Sequence, residues 1–198
     1  MPSAFPTPAL VVVDMIEDYF DAELWPNSEL PGLRKQLAKA VNRAVQLMRE
    51  QSFPVFWIRQ GFRADLSDAF PHMRKTGRAY TLAGSPGAEL LEELDVSEED
   101  RHVFKTRYSA FFKTTLQAEL QELQVDTLIL AGITTSWCIR STATDAYQHD
   151  YAVLLVGEAL GGFLNDDHQR DLAAMNATLA EVVSLDSLPA QFQLSPNS

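Results

Sequence analysis

The feature that most limits this chain is a series of short apolar runs separated by longer stretches with helical spacing. Pro8–Val13 (PALVVV), Phe53–Ile58 (FPVFWI), Thr127–Ala131 (TLILA) and Tyr151–Val156 (YAVLLV) are almost continuously apolar. They are too short for core helices and lack the alternation of a strand with one wet face, so they read as strands buried on both sides. His102–Phe104 and Val182–Ser184 are shorter candidates of the same kind. Between them, residues 31–50 carry Leu33, Leu37, Val41, Ala44, Val45 and Met48 on one helical face, with Lys and Arg opposite. Thr114–Leu123, with the stripe Leu116, Leu120 and Leu123, and Asp166–Leu179 also read as helices. Pro86 opens a short helix over AELLEEL, where proline suits a first turn. Strand alternating with helix implies a parallel sheet covered on both faces, a three-layer α/β/α domain.

The chain has 198 residues, enough for one domain spanning 1–198, and no stretch of it reads as a linker. A net charge of −11 argues against nucleic acid and anionic membrane surfaces as partners. The single cysteine excludes an intrachain disulfide and suits a reducing compartment. MPSAFPTPAL has neither a basic region nor a long apolar run, so the expected location is cytoplasmic, and the polar tail from Pro189 is expected to fray.

That cysteine, Cys138, follows the strand Thr127–Ala131. Gly132 is expected to break the strand, Thr134, Thr135 and Ser136 offer capping oxygens, and a helix is expected from Trp137 with Ile139, Ala143 and Ala146 on one face. A lone cysteine is commonly a small buried hydrophobe. This one is placed in the first turn of a helix beyond the carboxyl end of a sheet strand, where open α/β sheets bind ligands and a helix dipole favours thiolate. Asp14 and Lys105 share that address, each at the end of its own strand. A carboxylate can take the thiol proton and an ammonium can stabilise the resulting anions. Alone, Asp14 could cap a turn and Lys105 could be a solvated lysine; together the three residues point to a nucleophile. No histidine fits the base role better, since His72 lies in an irregular loop, His102 early in a strand, and His149 and His168 at polar helix ends.

VVVDMIEDYF, VFKTRYSAFFKTTL and AGITTSWCIRSTATDAY resemble, in this order, the signature blocks of the isochorismatase-like cysteine hydrolases; GSPGAELL fits as well. The resemblance implies a Rossmann-like six-stranded parallel sheet of order 3-2-1-4-5-6. It implies Asp14 as general base, Lys105 as its electrostatic partner and Cys138 as nucleophile. It also implies a cis bond at Ile133–Thr134, with the N–H groups of Thr134 and Cys138 as an oxyanion hole, and a homo-oligomer, dimer or tetramer. The metal-binding Asp-x-His pair of the family's nicotinamidases is absent where the chain reads Arg59-Gln60-Gly61-Phe62, so no metal and no cofactor is expected. No Gly-rich phosphate loop follows Val13, which removes a dinucleotide-binding reading.

Two chemistries compete within the resemblance: hydrolysis of a small amide or carbamoyl compound through an acyl-enzyme, and isochorismatase-type cleavage of a vinyl ether. A non-catalytic interaction module of the same fold would be expected to lose the triad, and the triad is intact. The cysteine favours the amide branch. Tyr19, Phe20, Trp25, Trp57, Phe62, Tyr108 and Trp137 are the candidate aromatic contacts to a small-molecule substrate, and Arg59 and Gln60 its candidate polar selectors. Each aromatic could equally serve the core or a subunit interface. The long irregular stretch Arg59–Ala83 is a candidate lid.

Overall fold

A computed structural model describes residues 7–192; the expectations for the first six residues and for the last six of the tail lie outside them. The strands are β1 Pro8–Val13, β2 Val55–Gln60, β3 Arg101–Lys105, β4 Thr127–Ile133, β5 Ala152–Gly161 and β6 Glu181–Val183. They form one sheet of order β3-β2-β1-β4-β5-β6, parallel at each pairing, as the resemblance implies. The helices are α1 Leu30–Glu50, α2 Pro71–Thr76, α3 Leu116–Glu122, α4 Arg140–Gln148 and α5 Asn165–Asn176. No helix among the described residues is long and apolar enough to cross a membrane.

Successive side chains of a strand point to opposite faces, and the central strands feed separate apolar layers. Leu10, Val12, Trp57 and Ile129 pack under α1 with Val41, Val45 and Met48. Val11, Val13, Ile58 and Leu130 pack on the other face with Ile139, Ala143 and Ala146. Burial on both faces is why these runs are continuously apolar rather than alternating.

Several boundaries move for physical reasons. Gly132 does not end β4; it lies inside the strand at φ 103°. β4 passes so close to β1 there that a Cβ would come within 2.1 Å of the Val13 carbonyl oxygen. β5 runs on past Val156 to Gly161, through a register shift between Leu130 and Gly132 of its neighbour. AELLEEL does not form a helix beyond a single turn at Pro86–Ala88. The Leu91 amide donates to the Met15 carbonyl and Leu90 bridges Ile16, so pairing with the segment after β1 overrides local helix preference. The tail does not fray at Pro189: Leu188–Gln191 forms a 3-10 turn with Leu188 buried, and Phe192 packs edge-on to Phe53 at 5.4 Å.

Candidate active site

The parallel register brings the carboxyl ends of the strands to one edge. Val13 lies opposite Ile58 on one side and Gly132 on the other, so Asp14 emerges between β2 and β4. Gln60 lies opposite Lys105. Asp14 itself has φ 52°, a left-handed conformation that aspartate tolerates better than most residues. Its Oδ1 accepts the Gln60 amide at 2.9 Å, tying the carboxylate to the end of β2.

Lys105 Nζ lies 2.6 Å from Asp14 Oδ2, and both side chains are wholly buried. The same Nζ lies 3.3 Å from Cys138 Sγ and donates to the Arg107 carbonyl at 3.1 Å. The three residues marked in the sequence thus converge on one ammonium group. Burial opposes the Lys105 charge, but Asp14 and the Cys138 sulfur outweigh it and hold the ammonium above its ordinary range.

The cysteine turn differs from the expected helix start. Thr135–Ile139 is a single π-helical turn, and regular helix begins only at Arg140. The Ile133–Thr134 peptide that precedes it is cis. Thr135 Oγ1 donates to the Gly161 carbonyl at 3.0 Å and lies 2.7 Å from His168 Nδ1, fastening the turn to β5 and α5. With that hydroxyl proton committed to a carbonyl, His168 supplies the other proton from Nδ1. Burial works against the thiolate that the helix position is expected to favour. Cys138 is only 4% exposed, and burial, then the Asp14 carboxylate, push its thiol up against the opposing pull of Lys105.

Cys138 opens onto a cleft of about 220 Å³. Tyr19, Trp25, Gln60, Tyr108, Thr134 and Trp137 line it, all marked in the sequence. The remaining marked residues are not brought there. Trp57 lies in the α1 layer with its indole N–H donating to Asp100 at 2.8 Å. Phe20 is buried in the same layer, and Phe62 is buried behind Phe70, edge-on at 5.7 Å. Arg59 points to the opposite face from Gln60, pairs with Glu89 at 2.6 Å and covers Phe104. The period of two along β2 separates these neighbours: one side chain reaches the cleft and the next cannot.

Residues 8–187 match the family described as the Isochorismatase domain. The chain belongs to the isochorismatase family. An Arabidopsis thaliana protein named "Probable inactive nicotinamidase" is 34% identical over 175 residues, covering 84% of this chain and 87% of that one. A solved isochorismatase family protein from Desulfovibrio vulgaris superposes with a TM-score of 0.84 at 28% identity, covering 93% and 97%. N-carbamoylsarcosine amidase from Thermoplasma acidophilum superposes with a TM-score of 0.77 at 26% identity, covering 91% and 97%. The isochorismatase family is a family of hydrolases, with amidohydrolases among its members.

In this isochorismatase-family chain the cleft also draws on residues that were not singled out: Phe70, His72, Arg78, Tyr80 and Phe163. The first four belong to the stretch marked as a candidate lid, which contains α2. Thr81 N donates to Asp18 Oδ2 at 2.5 Å, fastening that stretch to the turn after β1. Phe163 follows the Gly161-Gly162 pair at the end of β5, a signal hidden by the expected end at Val156. Its ring packs on Trp25 at 4.8 Å. Among the described residues no cluster of His, Cys, Asp and Glu side chains is arranged to hold a metal ion.

Proposed function

We propose that the protein is a cysteine amidohydrolase that cleaves the C–N bond of a small amide or carbamoyl compound. The observation that carries this reading is the single ammonium of Lys105, in reach of both Asp14 Oδ2 and Cys138 Sγ behind a small aromatic cleft. A buried carboxylate, ammonium and thiol in mutual contact are costly to a fold, and such arrangements concentrate at reactive sites.

The thiol passes its proton to Asp14 as sulfur attacks the carbonyl carbon. Charge then moves onto the carbonyl oxygen, where the Thr134 and Cys138 N–H groups act as donors. Asp14 returns the proton to the nitrogen, and the C–N bond breaks to leave a thioester and a free amine or ammonia. Water, deprotonated by the same carboxylate, attacks the thioester; the acid leaves and sulfur recovers its proton. Lys105 remains an ammonium throughout and compensates charge on whichever neighbour carries it.

The amidase among the structural neighbours supports C–N cleavage over vinyl-ether cleavage. One relative's name marks it inactive, so the reading rests on this chain's own triad. The test is a panel of small amides and carbamoyl compounds assayed for ammonia release, with intact mass to trap the acyl-enzyme. Release by wild type and a mass increase on Cys138 are expected; no turnover across the panel would overturn the reading.

A further inference from the structure

The cleft walls are aromatic, but its polar groups are not neutral in their demands. Tyr19 donates its hydroxyl proton to Gln60 Oε1, which turns the Gln60 Nε2 group away from Tyr19. Gln60 is 1% exposed, and Nε2 has no partner among the described residues. A buried amide donor with nothing to donate to is expensive unless a ligand oxygen supplies the acceptor.

Arg78, an exposed residue, supplies a charge. Arg34, Arg49, Arg59, Arg101 and Arg140 each pair with a carboxylate. Arg78 pairs with none among the described residues, nor do Arg43, Arg74 and Arg107, but of these four only Arg78 lines the cleft. Its guanidinium instead stacks 4.5 Å from the Trp25 ring centre and 5.7 Å from that of Tyr80, and it donates to the Leu24 carbonyl. The Trp25 indole is anchored in turn by the Asp18 carbonyl at 2.8 Å. This holds a planar fork of donors at the cleft, where Arg78 is the sole lysine or arginine in the lining. Lys105 does not line the cleft and is committed to Asp14.

We propose that Arg78 receives the carboxylate of a small amide acid, an amide or carbamoyl compound that carries a carboxylate a few bonds from the scissile C–N bond. The proposal rests on the amidohydrolase reading for the placement of the amide end at Cys138. The cleft volume supports it: at about 220 Å³ the space is below that of drug-sized sites, so a ligand in contact with Cys138 is never far from Arg78.

The test measures binding without turnover. Calorimetry on Cys138→Ala uses succinamic acid, N-carbamoylglycine and the methyl ester of each, which removes the negative charge. In at least one pair the acid is expected to bind roughly 5-fold or more tighter than its ester, the scale of one partly exposed ion pair. Adding Arg78→Gln should abolish that preference, Arg78→Lys should keep part of it, and raised salt should shrink it. Esters that bind as well as acids in both pairs, no binding of either acid, or a preference that survives Arg78→Gln would overturn the proposal. Ammonia release by wild type from the same compounds reports separately on hydrolysis. An intact acid preference with no release would sink the hydrolysis reading and leave the anion site standing.

Discussion

Lys105 meets Asp14 at 2.6 Å although their strands are not neighbours, because β2 lies between β3 and β1. The long lysine stem crosses the end of β2, and the Asp14 carboxylate is held from the other side by the Gln60 amide. The pair therefore clamps three strands at one edge of the sheet, and the same ammonium reaches Cys138 on the fourth segment.

Removing the cation should expose the cost of that arrangement. Lys105→Met leaves the Asp14 carboxylate buried without a partner, and a loss of about 3–5 kcal/mol in folding stability is expected. Asp14→Asn in the same chain removes the uncompensated charge and should recover most of the loss while restoring no activity. Urea denaturation of the three proteins checks both statements; a Lys105→Met variant as stable as wild type would contradict them.

The two competing chemistries separate at the sulfur. In an amidohydrolase, Cys138→Ala and Asp14→Asn should each lose at least ~10³-fold in kcat, because one lacks the nucleophile and the other its base. Vinyl-ether cleavage needs a proton donor and a positioned water, so Cys138→Ala would then keep most of its activity. Inactivity of both variants is expected.

The buried thiol also makes stability depend on pH in one direction. Its pKa is raised in the folded protein above the unfolded value of about 8.5. Below that value both states hold the proton, and the preference for neutral sulfur contributes in full. Above it the unfolded chain releases a proton that the folded chain keeps, so stability falls as pH rises. Relative to Cys138→Ala, the wild-type denaturation midpoint should therefore decline between about pH 8.5 and 10.5. A gap between the two proteins that is constant over this window would show the thiol to be unperturbed.

Gly132→Ala should be among the most damaging small substitutions. The new Cβ would meet the Val13 carbonyl oxygen at 2.1 Å, and a φ of 103° is unfavourable for alanine. A loss of at least ~2 kcal/mol is expected from overpacking and backbone strain together, read from the thermal midpoint. Gly77→Ala, where no atom lies within 4 Å, controls for crowding while still testing a positive φ.

Much of this protein is determined by local pattern. Continuous apolar runs such as Val11–Val13 and Leu128–Leu130 demand burial on both faces, and that demand dictates a parallel sheet with helices on each side. Once the sheet is parallel, the residues that close the strands, Asp14, Lys105 and the Cys138 turn, must share one edge. The tertiary structure alone decided what lay beyond that period. Arg59 and Gln60 are sequence neighbours with similar polarity, yet the pleat sends one to Glu89 and the other to the cleft. Trp57 and Trp25 are equally aromatic, but only the strand register consigns Trp57 to the α1 layer. Arg78 and Tyr80, from one segment, meet Phe163, from another far along the chain, at the cleft, and no local spacing encodes such a meeting. The surroundings of Cys138 were decided in the same way: helix position favours thiolate, while burial against Asp14, a contact made only by folding, pushes the thiol up.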